Sequence, residues 1–177
     1  MKKKYLIVFF IAMLVSSFSF ALEASDSMDD NTYPTGKRLF HIARSVNKNL
    51  VCYDVNTENG KLNTDAPLNV YWVNCENEPG ETSGLSYIQR KMAYGYKLVS
   101  AGDNSCVVSL TAYPAKKLTI ARQDSKYVCY VTIKNQQAIL RSLYVKASPS
   151  NPLSVEYVEL RGVSVSTNQP VTERVSK

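Results

Sequence analysis

From residue 38 onward the chain alternates apolar and polar positions in short runs: "RLFHIARS", "LVCYDVNT", "PLNVYWVN", "YKLVSAG", "CVVSLTAY", "KLTIARQ", "YVCYVTIK", "AILRSLYVKA", "VEYVELRGV" and "PVTERVS". A period of two sends successive side chains to opposite faces of a strand, so each run reads as a strand with one buried face. The breaks "NKN", "TENG", "NEPG", "GDN", "YPAK", "QDS", "KNQQ" and "SPSNP" are made of the residues that tight turns favour. About ten strands at a spacing of about 8 to 12 residues predict an all-β fold, an antiparallel barrel or sandwich.

One segment departs from this rhythm. "TSGLSYIQRKMAYGY" offers Thr82 or Ser83 as a cap, sets Leu85, Ile88 and Met92 on one helical face, and reaches Gly95 as a C-terminal glycine. The spacing predicts one short helix inserted around residues 83–94, lying across an end or face of the sheet. No internal repeat and no low-complexity stretch interrupts the pattern.

The first residues, "MKKKYLIVFFIAMLVSSFSFA", place three lysines before an apolar run that stops at Ser16 and Ser17. That is the pattern of a secretory signal peptide over residues 1–21, too short in its apolar part to span a membrane. Residues 22–37 are polar and acidic and read as a flexible lead-in; residues 38–177 read as a single all-β domain. Loss of Lys2, Lys3 and Lys4 leaves 18 basic against 15 acidic residues, so the formal +6 of the whole chain becomes +3. No run of like charge remains to attract nucleic acid. An exported location, periplasmic or extracellular, is therefore expected, with no membrane span after cleavage.

Export changes the meaning of the four cysteines, Cys52, Cys75, Cys106 and Cys129. An even set without a C-x-x-C pair favours disulfides over zinc. Strand parity separates the set: Cys52 and Cys75 fall opposite their strands' apolar faces, whereas Cys106 and Cys129 share theirs with Val108, Leu110, Val131 and Ile133. Bridged side chains must point the same way or meet across a core, so Cys52 is expected to pair with Cys75 and Cys106 with Cys129.

Two charged residues stand on apolar faces. Arg44 follows Phe40 and Ile42, and Glu173 lies between Val171 and Val175. Such charges are costly unless paired. If the first and last strands meet, Arg44 and Glu173 can form an inward pair that closes a barrel, with Tyr53 or Tyr71 in reach; otherwise both sit hydrated at its rims. The "NKN" of Asn47, Lys48 and Asn49 reads as a hairpin turn with Lys48 at its tip, or else as an anion-binding loop.

Catalytic signatures are sparse. The single histidine, His41, falls on the face opposite Phe40 and Ile42, toward solvent, and no G-x-S-x-G elbow is present. One histidine does not make a typical catalytic zinc site. Neither a cofactor nor a metal site is implied. Asp54, Glu156, Glu159 and Glu173 lie in strands and leave a carboxylate-dependent hydrolase as one alternative.

The strings "FHIARSVNKNLVCYDVN", "PLNVYWV", "LSYIQRKMAYGY", "VEYVELRG" and "VTERV" together resemble an uncharacterised family of exported bacterial proteins, catalogued as domain of unknown function 4833. Asn47, Lys48 and Asn49, with the Glu173 and Arg174 pair, carry its most distinctive marks. The resemblance spans residues 38 to 175. It implies one coherent domain and transfers no mechanism.

The resulting expectation is a non-catalytic binding module for a small ligand or glycan. Arg44 would orient the ligand, Tyr53, Tyr71, Trp72 and Tyr94 would wall it, and Asn47, Lys48, Asn49, Glu173 and Arg174 would add polar contacts. A structural or protein-interaction domain of the cell envelope is the competing expectation, with exposed tyrosines marking the partner surface.

Overall fold

The computed structural model describes residues 37–176. The expected signal peptide and nearly all of the lead-in lie outside the described residues. The strands are β1 (Arg38–Arg44), β2 (Asn47–Val55), β3 (Thr57–Glu58), β4 (Lys61–Leu62), β5 (Leu68–Val73), β6 (Thr82–Gly84), β7 (Tyr96–Gly102), β8 (Ser105–Leu110), β9 (Tyr113–Gln123), β10 (Lys126–Ile133), β11 (Gln136–Ser148), β12 (Asn151–Ser164) and β13 (Pro170–Ser176). A helix, α1 (Tyr87–Gln89), runs on as a π-helical turn (Arg90–Tyr94) between β6 and β7.

The fold is all-β. Nine strands in the order β6-β5-β2-β1-β11-β10-β9-β8-β7 curl into a half-barrel, while β12 pairs with both β11 and β13. Pairing is antiparallel throughout the main sheet except at one seam, where β1 runs parallel to β11 with His41 opposite Ser142 and Arg44 opposite Val145. This differs from the wholly antiparallel sheet expected from the sequence. Strand β11 can serve three neighbours because Gln136–Ile139 face β10, Ser142–Val145 face β1, and β12 follows its other edge. The register breaks between Leu140 and Ser142, where the strand changes partner.

Parity then sorts the side chains as the alternation predicts. Phe40, Ile42, Val51, Tyr53 and Val55 point inward and pack with Val108, Ile120, Ile133, Leu140 and Leu160 in one core. Phe40 and Tyr53, opposite each other in register, stack with ring centroids 4.4 Å apart. Turn chemistry also appears where the sequence places it: Asn59, Asp124, Lys134 and Asn135 take left-handed backbone. The Lys134–Asn135 pair is the double positive-φ hairpin that suits strand twist. "YPAK" departs from expectation, since β9 already begins at Tyr113.

Three further expectations are corrected. First, "NKN" is not the turn: Ser45 and Val46 make it, and Asn47 to Asn49 open β2. Ala43 pairs with Leu50 but Arg44 with Asn47, so Lys48 and Asn49 form a bulge. Second, the helix is shorter than expected. Thr82 and Ser83 are taken by pairing with Val73 and Trp72, and the cap is Ser86, in a capping box with Gln89. Leu85 is buried, but Ile88 and Met92 are 71% and 70% exposed, so the expected apolar face does not lie on the sheet. Gly95 does close the segment, in extended backbone; a Cβ there would lie 2.0 Å from the Arg90 carbonyl oxygen.

Third, no disulfide is formed among the described cysteines. The division into pairs by face holds: Cys52 packs in a small cluster with Leu50 and Val73 that Cys75 flanks, and Cys106 and Cys129 lie in the main core. For the core pair the spacing does not allow a bond. Cys106 and Cys129 both pair with Ile120 from opposite sides, so a whole strand separates them, about 10 Å at normal strand spacing. A bridge needs Cα atoms within about 7 Å. Cys52 stands opposite Tyr71, while Cys75 lies past the end of β5 and flanks the Cys52 cluster with its thiol unbonded.

Two outcomes test this architecture. A Cβ at Gly162 would lie 2.6 Å from the Ile139 carbonyl oxygen and 3.1 Å from Ile133 Cδ1, where β12 crowds β11. Gly162→Ala is expected to destabilise by about 1–3 kcal/mol in urea unfolding. Thiol titration in denaturant without reductant should report four thiols; a count of none would establish the two expected bridges.

Candidate functional site

The inner end of β1 carries the first candidate site. Alternation brings Arg44 to the concave face behind Phe40 and Ile42, at the rim where the α1 segment crosses. There Arg44 Nη1 donates to the Tyr94 hydroxyl at 3.1 Å. The Tyr94 ring meets Trp72 edge-on at 5.2 Å, and its backbone carbonyl accepts the Tyr53 hydroxyl at 2.7 Å. Trp72 Nε1 donates to Gln89 Oε1 at 3.4 Å, tying the helix to β5. Four residues expected to share a site, Arg44, Tyr53, Trp72 and Tyr94, are therefore brought together. Tyr53 is wholly buried and braces Tyr94 from beneath instead of forming an open wall. Burial pushes its phenol well above the usual tyrosine range.

Asn47 stands opposite Arg44 in register, so both side chains leave the same face of the hairpin. Its Oδ1 is buried and accepts no hydrogen bond. A buried acceptor left in that condition costs free energy. The other two members of the motif act differently. Asn49 Oδ1 accepts from the Cys75 amide at 2.9 Å, and the Lys48 amide donates to Glu76 Oε1 at 3.1 Å. The bulge thus clasps the loop after β5.

Glu173 faces inward, as its neighbours Val171 and Val175 require, but its partners are not Arg44. Lys116 Nζ donates to it at 3.3 Å from β9, and the Lys134 amide donates to Oε2 at 2.8 Å. The geometric reason is that β1 and β13 do not pair; β13 lies along β12 and faces the β9 and β10 side. Arg174 points to the opposite face, where it donates to Glu159.

Tyr71, one residue from Trp72, takes the convex face by parity and joins a network the sequence reading did not find. Asp54, only 4% exposed, accepts Arg38 Nε and the Tyr71 hydroxyl, the latter at 2.7 Å; Arg38 Nη2 donates to the same hydroxyl at 3.0 Å. Burial raises the Tyr71 phenol, and its hydrogen bond to Asp54 raises it further. Burial likewise pushes the neighbouring Cys52 thiol up to about 12, against the Arg38 charge that lowers it. His41 stands opposite Cys52 and is half-buried. The signal for this cluster was present in register alone: Arg38 and Asp54 are partners across β1 and β2.

The strand carboxylates are thus dispersed among cations, Asp54 with Arg38, Glu159 with two arginines and Glu173 with Lys116. No helix among the described residues is long and apolar enough to cross a membrane. The chain belongs to the family described as Domain of unknown function (DUF4833), which matches residues 40–174. Neither a curated protein nor a solved structure matches it.

Asp54→Asn breaks the Arg38 ion pair and leaves a guanidinium in a mostly buried position. It is expected to cost about 3 kcal/mol, read from the urea midpoint, while Asp65→Asn on the exposed β4 to β5 loop should change stability by less than about 0.5 kcal/mol.

Proposed function

We propose that this is an exported binding module whose ligand, a hydroxyl-rich small molecule or short glycan, docks at the rim formed by Arg44, Asn47, Trp72 and Tyr94. The observation that carries the reading is the buried Asn47 Oδ1, which accepts no hydrogen bond and belongs to the residue across the hairpin from Arg44, whose guanidinium donates to Tyr94. A ligand hydroxyl can donate to Asn47 and accept from a guanidinium at once, which a bare anion cannot do. Aromatic rings beside such groups suit the apolar faces of a sugar. Tyr53 contributes by fixing the Tyr94 backbone.

Export rests on the N-terminal pattern of lysines, apolar run and small residues. Periplasmic or extracellular delivery follows from it. A second reading, an envelope interaction domain, is favoured by Tyr87, Ile88 and Met92, which are 75%, 71% and 70% exposed on consecutive turns of the α1 segment.

Native mass spectrometry of the protein purified from its own host should show a co-purifying molecule that Arg44→Ala loses. Loss of a hydrogen bond to a charged group corresponds to about tenfold weaker binding or more. An unchanged amide spectrum for the variant separates lost binding from lost folding. A host-purified protein carrying nothing would sink the reading.

A further inference from the structure

The convex face of β11, β12 and β13 carries a second arrangement, away from the Arg44 rim. Three registered rows cross it: Lys146, Tyr157 and Ser176; Tyr144, Glu159 and Arg174; Ser142, Arg161 and Thr172. Glu159 sits at the centre, with its side chain 11% exposed. Its Oε1 accepts Arg161 Nε and Nη2, each at 2.8 Å, and its Oε2 accepts Arg174 Nε at 3.2 Å and Nη2 at 2.9 Å. Each guanidinium also lies over a tyrosine: Arg174 Cζ is 4.1 Å from the Tyr157 ring centroid, and Arg161 Cζ is 5.6 Å from that of Tyr144.

One bidentate arginine is enough to neutralise a carboxylate. The second leaves the cluster with an excess positive charge, and Lys146, opposite Tyr157, adds to it. Both forks spend their Nε and Nη2 edges on Glu159, so the Nη1 hydrogens are directed away from it. The arginine side chains are 48% and 56% exposed, above a carboxylate that is nearly covered. The result is a pair of guanidiniums whose orientation is fixed before any ligand arrives. Fixing them in advance removes the rotamer entropy that a flexible cation loses on binding. Without Glu159 the two cations would repel each other, so the carboxylate serves to hold them side by side.

We infer that Arg161 and Arg174 form an oxyanion subsite on this face, taking a phosphate or sulfate group, either free or carried on a sugar. Glu159 is the positioning residue, and Tyr144 and Tyr157 hold the guanidinium planes. The site lies on the face opposite Arg44, so it stands or falls independently of the rim.

The arginine Nε–H resonances of the ¹⁵N-labelled protein give a direct readout. Titration with inorganic phosphate, and separately with glucose 6-phosphate, at ionic strength held constant with chloride, should shift the Arg161 and Arg174 signals at millimolar concentration while glucose does not. A stronger response to glucose 6-phosphate identifies a sugar-borne group, and equal responses identify the free oxyanion. Arg174→Lys and Arg161→Lys keep the charge but lose the fork, and each should weaken binding by about tenfold with the amide spectrum otherwise unchanged. Shifts no larger than those produced by chloride, or lysine variants that bind as well as the parent, would overturn the inference.

Discussion

The parallel pairing of β1 with β11 is the constraint on which the rest of the structure depends. Strands β2, β5 and β6 reach the main sheet only through β1, and β7 to β9 reach it only through β10. Strand β11 holds the two groups in one curled surface by giving its first residues to β10 and its later ones to β1. The break in register after Leu140 is what permits this change of partner. Its consequence is the concave core: Phe40 and Tyr53 from one group face Ile120 and Ile133 from the other. That seam joins residues about a hundred positions apart in the chain. Closing such a loop costs entropy before any contact rewards it, although the cost rises only logarithmically with length.

Curling a sheet on one side only also explains where its charges lie. Arg44 stands at the end of β1, where the inward face turns polar, whereas Glu173 interrupts the inward face of β13 between Val171 and Val175. Each has a neighbour from a different element, Tyr94 of the helical segment and Lys116 of β9. Those contacts tie a rim to something beyond the strand's own neighbours. On the convex side the same logic applies without a core: Asp54 and Glu159 are each covered by arginine and tyrosine. For Glu159, burial raises the carboxyl, but hydrogen bonds from Arg174 and Arg161 outweigh it and hold it below the usual carboxylate range. Its stabilising contribution is therefore present above the ordinary glutamate range and is lost as pH falls through the lowered value.

Much of this was legible in the chain. Alternation located the strands, parity divided the cysteines into two clusters, and Arg44, Trp72 and Tyr94 were identified as neighbours although 50 positions separate Arg44 from Tyr94. What failed did so for physical reasons. A pattern of two cannot report direction, so the parallel seam was invisible. Thr82 and Ser83 suit a helix cap, but an unpaired strand edge at Val73 competed for them and won. "NKN" has the composition of a turn, yet Ser45 and Val46 suffice to reverse the chain, leaving Lys48 and Asn49 to bulge toward Glu76 and Cys75. Face parity told which cysteines share a cluster, but not their separation, which depends on the register of strands between them.

The packed middle of the core sets where polar groups can stand. An all-β barrel expected to enclose a ligand would need space among its inward tyrosines, but Tyr53 and Phe40 are stacked and wholly buried at the middle of the core. At the end of β1, Arg44 reaches Tyr94 of the helical segment, across the hairpin from Asn47 and its unsatisfied amide oxygen. Gly95 fixes that meeting, because no side chain fits beside the Arg90 carbonyl and the chain must turn into β7 there. Tyr94, the residue before it, is consequently held with its ring against Trp72 and its hydroxyl toward Arg44. A rim built in this way is rigid where it touches the core and open where it faces solvent. Its polar groups are oriented by packing already required for folding.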